Sequence, residues 1–470
     1  DLITCALLDN NTVKCWGRNS DGQLGVGYTD TRGDDAGEMG DNLRAVNLGV
    51  RVKAVSAGKH HTCALLVDNS VECWGENNSG QLGIGDTDHR GDGLSEMGDA
   101  LPSVDLGIGR QAIAITTGGE HSCALMKDGT AACWGAGGKG QLGLYVGAYE
   151  ARGALPGEMG ENLQLVDLPT YFGKVQALAA GEYHTCAVTA KEGLRCWGYN
   201  AYGQLGLGDT RDRGVTSMEI SQSLGPVNLG YRRKAKAIAA GSGFTCALLD
   251  NGAVKCWGYG LAGQLGTGGF VRGDEPGEMG DNLPAVNLGR RRRATAIAAG
   301  VSHACALLNN GTVKCWGSNN VGQLGQGDTT SRGANPSDMG DNLPGVNLGW
   351  RRKAKAIVAG VSHTCALLDN GSVKCWGSNN VGQLGLGDTD NRGDQPGEMG
   401  DSLPAVDLGP GRTAKAISAG WYHTCAVLDN GTVKCWGVNT YGQLGQSDNT
   451  TRGDGPGEMG NALKPVALTG

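Results

Sequence analysis

No apolar run in this 470-residue chain approaches the roughly 20 residues that a membrane-spanning helix needs. Nor does it hold a ten-residue segment with helical spacing, because glycine and proline interrupt every candidate. The first absence excludes a membrane span, and the second points away from helical folds. Basic residues are not in excess either: a net charge of -7 offers no general attraction for nucleic acid, whose binding is dominated by phosphate neutralisation. No nucleic-acid partner is expected. The stretch Asp1–Leu8 is neither basic nor long enough for a signal peptide, and the chain does not open on Met, so a processed or truncated form is expected. A C-x-x-C redox pair, a Ser-His-Asp set, a nucleophile elbow and a phosphate loop are all missing. No catalytic residue is assigned, and no enzymatic activity is expected.

What the chain has is repetition. Its 84 glycines follow no every-third-residue pattern, and 39% hydrophobic content argues against disorder, so the glycines read as tight turns. The cysteines fall into eight C-x9-C pairs with none left over: Cys5 with Cys15, Cys63 with Cys73, Cys123 with Cys133, Cys186 with Cys196, Cys246 with Cys256, Cys305 with Cys315, Cys365 with Cys375 and Cys425 with Cys435. Successive pairs start about 60 residues apart, and each second cysteine precedes Trp-Gly and then Gly-Gln-Leu-Gly. Residues 1–470 therefore read as one repeat domain of eight units.

Each unit offers four short strands, exemplified by "AKAIVAG" from Ala354, "HTCALL" from His363, "SVKCWG" from Ser372 and "LPAVDLG" from Leu403. Four-stranded units with a recurring aromatic indicate an all-β fold, a β-propeller of about eight four-stranded blades. Seven blades with an extra unit, or an open array, are the alternatives. Treating Asp369-Asn370-Gly371 as a three-residue hairpin loop with Gly in the left-handed position sets Leu367 opposite Val373 and Cys365 opposite Cys375. Cross-strand neighbours lie close enough for a disulfide, so eight hairpin disulfides are expected, which places the protein in an oxidising, extracellular setting. A His-Cys-Cys metal site, as at His363 and Cys365, is disfavoured because Ile3 and Phe244 replace the histidine while both cysteines persist.

The stretch "AGVSHTCALLDNGSVKCWGSNNVGQLGLGD", from Ala359 to Asp388, resembles the repeat of the regulator of chromosome condensation family, and copies of it span essentially the whole chain. The resemblance implies a propeller, commonly of seven blades, and a function in protein binding rather than catalysis. That family includes nuclear exchange factors for a small GTPase, plant photoreceptors and secreted inhibitors of β-lactamases. Eight units and paired cysteines depart from the usual pattern and favour its secreted branch.

A long acidic loop follows Gly-Gln-Leu-Gly, with Asp86, Asp88, Asp92, Glu96 and Asp99 as one copy. It reads first as a solvated rim facing basic stretches such as Arg351-Arg352-Lys353 and Arg290 to Arg293, and second as a calcium site without a known spacing. No cofactor is expected beyond that calcium alternative. Arg-Gly-Asp recurs at Arg32, Arg90, Arg272, Arg392 and Arg452, at a fixed place in the repeat that marks it as a turn. Trp16, Trp74, Trp134, Trp197, Trp257, Trp316, Trp376 and Trp436 read as packing between blades, each indole N–H with a local acceptor. His61, His121, His184, His303, His363 and His423 read as satisfied turn residues. Asn10, Asn310, Asn370 and Asn430 lie in N-x-[ST] at hairpin tips and are candidate glycosylation sites.

The leading functional expectation is an extracellular protein-binding, adhesion or scaffold module with a protein or cell-surface partner, able to self-assemble head to tail. A secreted enzyme inhibitor is the alternative. It requires aromatics gathered on one face, where only Trp350, Trp421 and Tyr422 stand out. A glycan-acting enzyme would need a unique carboxylate pair that the repetition does not show. The first unit also lacks its "AKAIVAG" strand, because residue 1 aligns just after Gly360, while "LKPVALTG" ends where such a strand would begin. The missing strand is expected from beyond Gly470, from before Asp1, or from a neighbouring molecule.

Overall fold

Asp369-Asn370-Gly371 turns the chain as its residues require: Gly371 adopts φ +80° and its N–H closes onto the Leu368 carbonyl at 3.0 Å. The flanking strands then pair Leu367 with Val373 and Cys365 with Cys375. Their hydrogen-bonding alternation, set by Leu368 N–H to Ser372 at 2.8 Å, makes the cysteines a non-hydrogen-bonded pair, where strands run closest. The disulfide from Cys365 to Cys375 fits there with Cα atoms 4.1 Å apart. The same register recurs in every unit, and each expected disulfide is formed. Cys5 bonds Cys15, Cys63 bonds Cys73, Cys123 bonds Cys133 and Cys186 bonds Cys196. Further along, Cys246 bonds Cys256, Cys305 bonds Cys315 and Cys425 bonds Cys435, so no cysteine is free.

The computed structural model describes residues 2–144, 151–168, 173–191, 193–216, 220 and 224–468. Among these it holds eight antiparallel sheets, one per unit. The first unit contributes β1 (Ile3–Leu7) and β2 (Val13–Gly17); the second, β3 (Val52–Ala57), β4 (His61–Leu66) and β5 (Val71–Gly75), which serve as the inner, middle and outer strands of a full blade. The pattern repeats to the eighth unit, whose strands are Ala414–Ala419, His423–Leu428 and Val433–Gly437. Middle strands are buried along their whole length from the second unit to the seventh, because neighbouring blades cover both faces.

The fourth strand differs from the sequence expectation. "LPAVDLG" is not a strand: Pro404 has no N–H to give, and the segment meets its blade mainly through Val406 N–H to the Val373 carbonyl at 2.8 Å. At the other end of the same outer strand, Arg392 bridges Gly377. The fourth strand is thus split into two short contacts by the glycine-rich loop between them. Only in two described units does the arginine contact lengthen to a two-residue strand, Ala151–Arg152 and Val271–Arg272. Leu403, Val406 and Leu408 still contribute buried side chains to the core between blades.

The core is a series of inter-blade clusters. One unites Cys305, Leu307 and Val313 of the sixth unit with Ala354, Ile357, Ala366 and Trp376 of the seventh. A similar cluster joins Trp16, Met39 and Leu43 of the first unit to Cys435, Leu444 and Val466 of the eighth, so the ring closes at eight blades. The seven-blade and open alternatives do not hold. The first blade has only β1 and β2, with no inner strand among the described residues.

Candidate protein-interaction face

Between blades, each Gly-Gln-Leu-Gly turn presents its glutamine carbonyl to the next unit. The Gln323 carbonyl accepts the Trp376 indole N–H and the Thr364 hydroxyl, both at 3.1 Å. With that hydroxyl proton committed, the 2.9 Å contact from His303 Nε2 to Thr364 Oγ1 requires Nε2 to be the donor. His303 Nδ1 is then a buried acceptor without a partner. The recurring tryptophan therefore bonds across the blade junction rather than locally, and the histidines start strands rather than sit in turns. The network also closes the ring: Trp16 Nε1 and Thr4 Oγ1 both donate to the Gln443 carbonyl at 2.9 Å, and His423 Nε2 meets Thr4 Oγ1 at 3.2 Å. Burial pushes His61, His121 and His363 down to about 3, and His184, His303 and His423 to about 4.

The acidic loops are occupied with their own folding. Glu38 Oε2 accepts the N–H groups of Gly33, Asp34 and Asp35 at 2.8 to 3.1 Å, and its other oxygen pairs with Arg32. Desolvation pushes Glu38 up, but these backbone donors and Arg32 outweigh it and hold the carboxyl below its ordinary value. The arginine of each Arg-Gly-Asp is tied into its loop: Arg32 to Glu38, Arg272 to Glu278, and Arg90, Arg392 and Arg452 to Asp86, Asp388 and Asp448. The basic stretches pair mostly with hairpin tips, as Arg352 with Asp369 at 3.4 Å, although Arg290 lies 3.9 Å from Asp341 of the acidic loop. Asn10, Asn310, Asn370 and Asn430 sit at hairpin tips, where each Oδ1 accepts a backbone N–H two residues on.

Along the axis, the ends of seven inner strands line a cavity of about 410 Å³. Its walls are mainly glycine and alanine, with Thr117, Ser242, Val301, Val361 and Trp421 among the rest, and Lys59 and Glu182 are the only titratable lining residues among the described residues. A Cβ on Gly58 would lie 2.5 Å from the His61 ring and 2.8 Å from the Gly118 carbonyl, which explains glycine at this crowded position.

Departures from the repeat are what distinguish one part of the face. Tyr183 and Tyr199 of the fourth unit have ring centroids 6.4 Å apart, Tyr199 and Tyr202 6.3 Å, and Tyr202 and Tyr259 of the fifth unit 5.1 Å. These edge and tilted contacts form one aromatic run. Tyr183 is 38% exposed and Tyr202 43%. Lys139 lies over the Tyr199 ring at 5.7 Å. Desolvation pushes the Tyr183 hydroxyl up, and so do Glu182, which it bonds, and Glu120. Burial also pushes Tyr199 up, with Tyr202 and Asp212 adding to it. The patch is therefore aromatic within an acidic surround. Register-equivalent positions in the eighth unit, across the ring, carry exposed Tyr422 and half-buried Tyr441, with exposed Trp421 beside Tyr422 and Arg18 stacked 5.8 Å from the Tyr441 ring. The expectation that aromatics do not gather on one face is thus corrected. The signal was in the sequence: tyrosines at the positions before His, after Trp-Gly and before Gly-Gln-Leu-Gly coincide in adjacent units.

Comparison with known proteins agrees with this architecture. Sequence models of the regulator of chromosome condensation (RCC1) repeat match residues 1–23, 52–81, 112–141, 175–204, 235–264, 294–323, 354–383 and 414–443, and in a longer form 68–125, 196–248, 310–367 and 370–427. The ultraviolet-B receptor UVR8 of Arabidopsis thaliana is 29% identical over 410 residues, 86% of this chain and 80% of that protein. The E3 ubiquitin-protein ligase HERC2 of Homo sapiens is 29% identical over 378 residues, 80% of this chain but 7% of the ligase. Among solved structures, human WBSCR16 matches with a TM-score of 0.57 at 20% identity, over 86% of this chain and 96% of that one. Prp20p from Saccharomyces cerevisiae, described with its binding to Gsp1p and histones, also reaches 0.57 at 20% identity, over 88% and 91%. The two structural matches speak for the β-propeller fold alone. With eight copies of the motif along its length, the chain belongs to the regulator of chromosome condensation repeat family.

Proposed function

We propose that this protein is a non-catalytic binding propeller that acts outside the cell and holds a protein partner on the tyrosine face of its fourth and fifth blades. The observation that carries the reading is the run Tyr183, Tyr199, Tyr202 and Tyr259, four rings in edge and tilted contact across two adjacent blades. Large aromatics on a rigid rim supply most of the contact energy in protein interfaces. Glu120 and Glu182 around them favour a partner segment that offers Arg or Lys beside apolar side chains. Eight disulfides suit an oxidising compartment, in keeping with action outside the cytosol. Binding by Prp20p to Gsp1p and histones is a precedent for protein recognition on this fold.

The test compares the wild-type chain with a Tyr183→Ser/Tyr202→Ser variant as bait for secreted and surface proteins of the native source. A partner held by the wild type and lost by the variant, at equal melting temperature, supports the proposal. Equal capture by both sinks it. The gathered aromatics favour a single-partner binder such as an inhibitor over a self-assembling scaffold, for which light scattering on the isolated chain is the check.

A further inference from the structure

Gly349-Trp350-Arg351-Arg352 makes a tight turn into the inner strand of the seventh blade (Ala354–Ala359), closed by Arg352 N–H to the Gly349 carbonyl at 3.1 Å. The same turn precedes the fifth and sixth inner strands, where Arg233 N–H meets the Gly230 carbonyl at 3.1 Å and Arg292 N–H that of Gly289 at 3.3 Å. Its third residue takes a left-handed backbone that suits glycine. The third and eighth units comply, with Gly109 at φ +74° and Gly411 at φ +68°. In three adjacent units, however, Arg232, Arg291 and Arg351 hold this position at φ +57°, +56° and +58°. Strain accepted three times at one surface position points to a use for the side chain.

That use is not an internal ion pair. Arg232, Arg291 and Arg351 are exposed, and among the described residues none has a carboxylate partner. Instead Arg351 lies over the Trp350 ring at 4.1 Å and Arg232 over the Tyr231 ring at 5.0 Å. Trp350 is 69% exposed and Tyr231 72%. Asp401 accepts the Trp350 backbone N–H at 3.0 Å and Asp281 that of Tyr231 at 3.1 Å, so the turns themselves are anchored. Trp350 borders a cleft of about 330 Å³ shared with Arg352, Asn370, Ser372 and Asp401. Residues 231–236, 290–295 and 350–355 each carry four Lys or Arg and no acid, in a chain of net charge -7, whereas 108–113 carries one and 410–415 two. Ala354 pairs with Leu368 beside the hairpin tip, while Tyr183 and Tyr199 flank the pair of His184 and Gly198 at the opposite strand ends. The basic arc and the tyrosine patch therefore lie on opposite faces of the ring.

We propose that this arc of the fifth, sixth and seventh blades binds an anionic polysaccharide, whose sulfate or carboxylate groups pair with Arg232, Arg291 and Arg351 and whose sugar rings lie against Tyr231 and Trp350. One equivalent cluster per blade suits a polymer of regularly spaced charge. A flat anionic bilayer fits less well, because Asp250, Asp281, Asp341, Asp369 and Asp401 share the face with the arginines. Single-stranded nucleic acid offers similar charge and stacking, and the choice of polysaccharide over it rests on the proposed action outside the cell.

The test measures binding of the chain to dextran sulfate, polygalacturonate and neutral dextran at about 0.15 M salt, where weak surface attraction is screened. Saturable binding to one or both charged polymers and none to dextran is expected, the preferred polymer naming sulfate or carboxylate as the group read. Arg232→Gly/Arg291→Gly/Arg351→Gly removes three charges while relaxing the backbone, and should weaken binding about tenfold or more at an equal or higher melting temperature. Tyr231→Ala/Trp350→Ala should weaken it severalfold. Lys53→Gln/Lys127→Gln/Lys174→Gln removes equal charge from the same face in the second to fourth units and should leave binding unchanged. A loss in this control as large as in the glycine variant overturns the proposal, as does absence of binding to both charged polymers. Tighter binding to oligothymidylate, polyglutamate or phosphatidylglycerol vesicles than to either charged polysaccharide also overturns it and gives the arc to that class instead.

Discussion

Phe244 and Ala304 replace a hydrogen-bonded pair by an apolar one at a single blade junction. At six other junctions a histidine meets a hydroxyl of the next unit, as His303 meets Thr364 at 2.9 Å and His61 meets Ser122 at 2.9 Å, whereas Ile3 holds the histidine's place before Thr62. Where the fifth unit has Phe244, the sixth has Ala304, and both are buried in one cluster. The two substitutions fit each other, since a lone imidazole opposite alanine would leave a buried Nε2–H unpaired, whereas a lone hydroxyl keeps its glutamine carbonyl, as Thr62 keeps that of Gln23 at 3.2 Å although Ile3 replaces the histidine.

Phe244→His alone should therefore destabilise by about 1–3 kcal/mol, and Ala304→Thr, whose hydroxyl still finds the Gln264 carbonyl, by less. The double variant should recover much of the loss, with a coupling of about 1 kcal/mol or more in a denaturant double-mutant cycle. Additive losses would remove the pairing argument.

The six buried histidines make stability fall with acid well above the carboxylate range. Their folded values are pushed down to about 3 or 4, whereas an unfolded histidine titrates near 6.5. Above about pH 6.5 both states are neutral and stability is intact; as pH falls toward 4, only the unfolded chain gains protons. Each histidine then costs about 1.4 kcal/mol per pH unit. Unfolding at pH 5 should take up close to six protons. Glu38 and Glu278, held below their ordinary values, add their loss only further down, as pH falls through their folded values. Denaturant midpoints that stay flat from pH 7 to 5 would contradict this.

The repeat unit was legible because its markers fix geometry directly. A three-residue loop ending in Gly371 sets the hairpin register, and the register sets the disulfide. The fourth strand was misread because apolar alternation around Val406 buries side chains against the next blade without forming a ladder. Long-range partners were not legible at all. Trp16 finds its acceptor 427 residues away, and Tyr202 meets Tyr259 only once blades are arranged around a ring. Sequence spacing within one unit carries no information on either.

Glu72 stands where five other units use a lysine and a sixth uses Arg195. Lys255, Lys314, Lys374 and Lys434 each donate to a glycine carbonyl of the acidic loop at 2.6 to 2.7 Å, namely Gly280, Gly340, Gly400 and Gly460. Burial pushes the Glu72 carboxyl up to about 7, opposed by a bond from Ser103. Its folded value lies above the unfolded one, so its contribution is present in acid and lost as pH rises through 7. Glu72→Lys should bond the Gly98 carbonyl and raise stability at pH 8 by about 1–2 kcal/mol, with a smaller gain at pH 5. A loss at pH 8 would refute the substitution argument.

The acidic loops should not need calcium. Glu38 and Arg32 already satisfy each other and the loop backbone, and no cluster of three or more metal-ligating side chains occurs among the described residues. Adding a chelator should move the melting temperature by no more than about 1 °C; a drop of several degrees that calcium restores would assign a metal to these loops.

The disulfides contribute through the unfolded chain as much as through the blade. Each closes a loop of sequence separation 10, for which the chain-entropy relation gives about 2–3 kcal/mol. From the second blade to the seventh, both cysteines are buried, the first on the middle strand between inner and outer strands and the second on the outer strand, as Cys63 with Cys73 and Cys305 with Cys315. In the first blade Cys5 lies at an open edge and is only partly buried, whereas Cys425 of the eighth, also partly buried, still has its inner strand. A reductant should therefore reach the Cys5 to Cys15 bond first. Mass spectrometry without reductant should find the chain about 16 Da lighter than its fully reduced form, since eight bonds each remove two hydrogens. Mild reduction and alkylation should then label Cys5 and Cys15 before any other pair. A first label on Cys365 and Cys375, buried beneath their inner strand, would show that access to the open edge does not govern reduction.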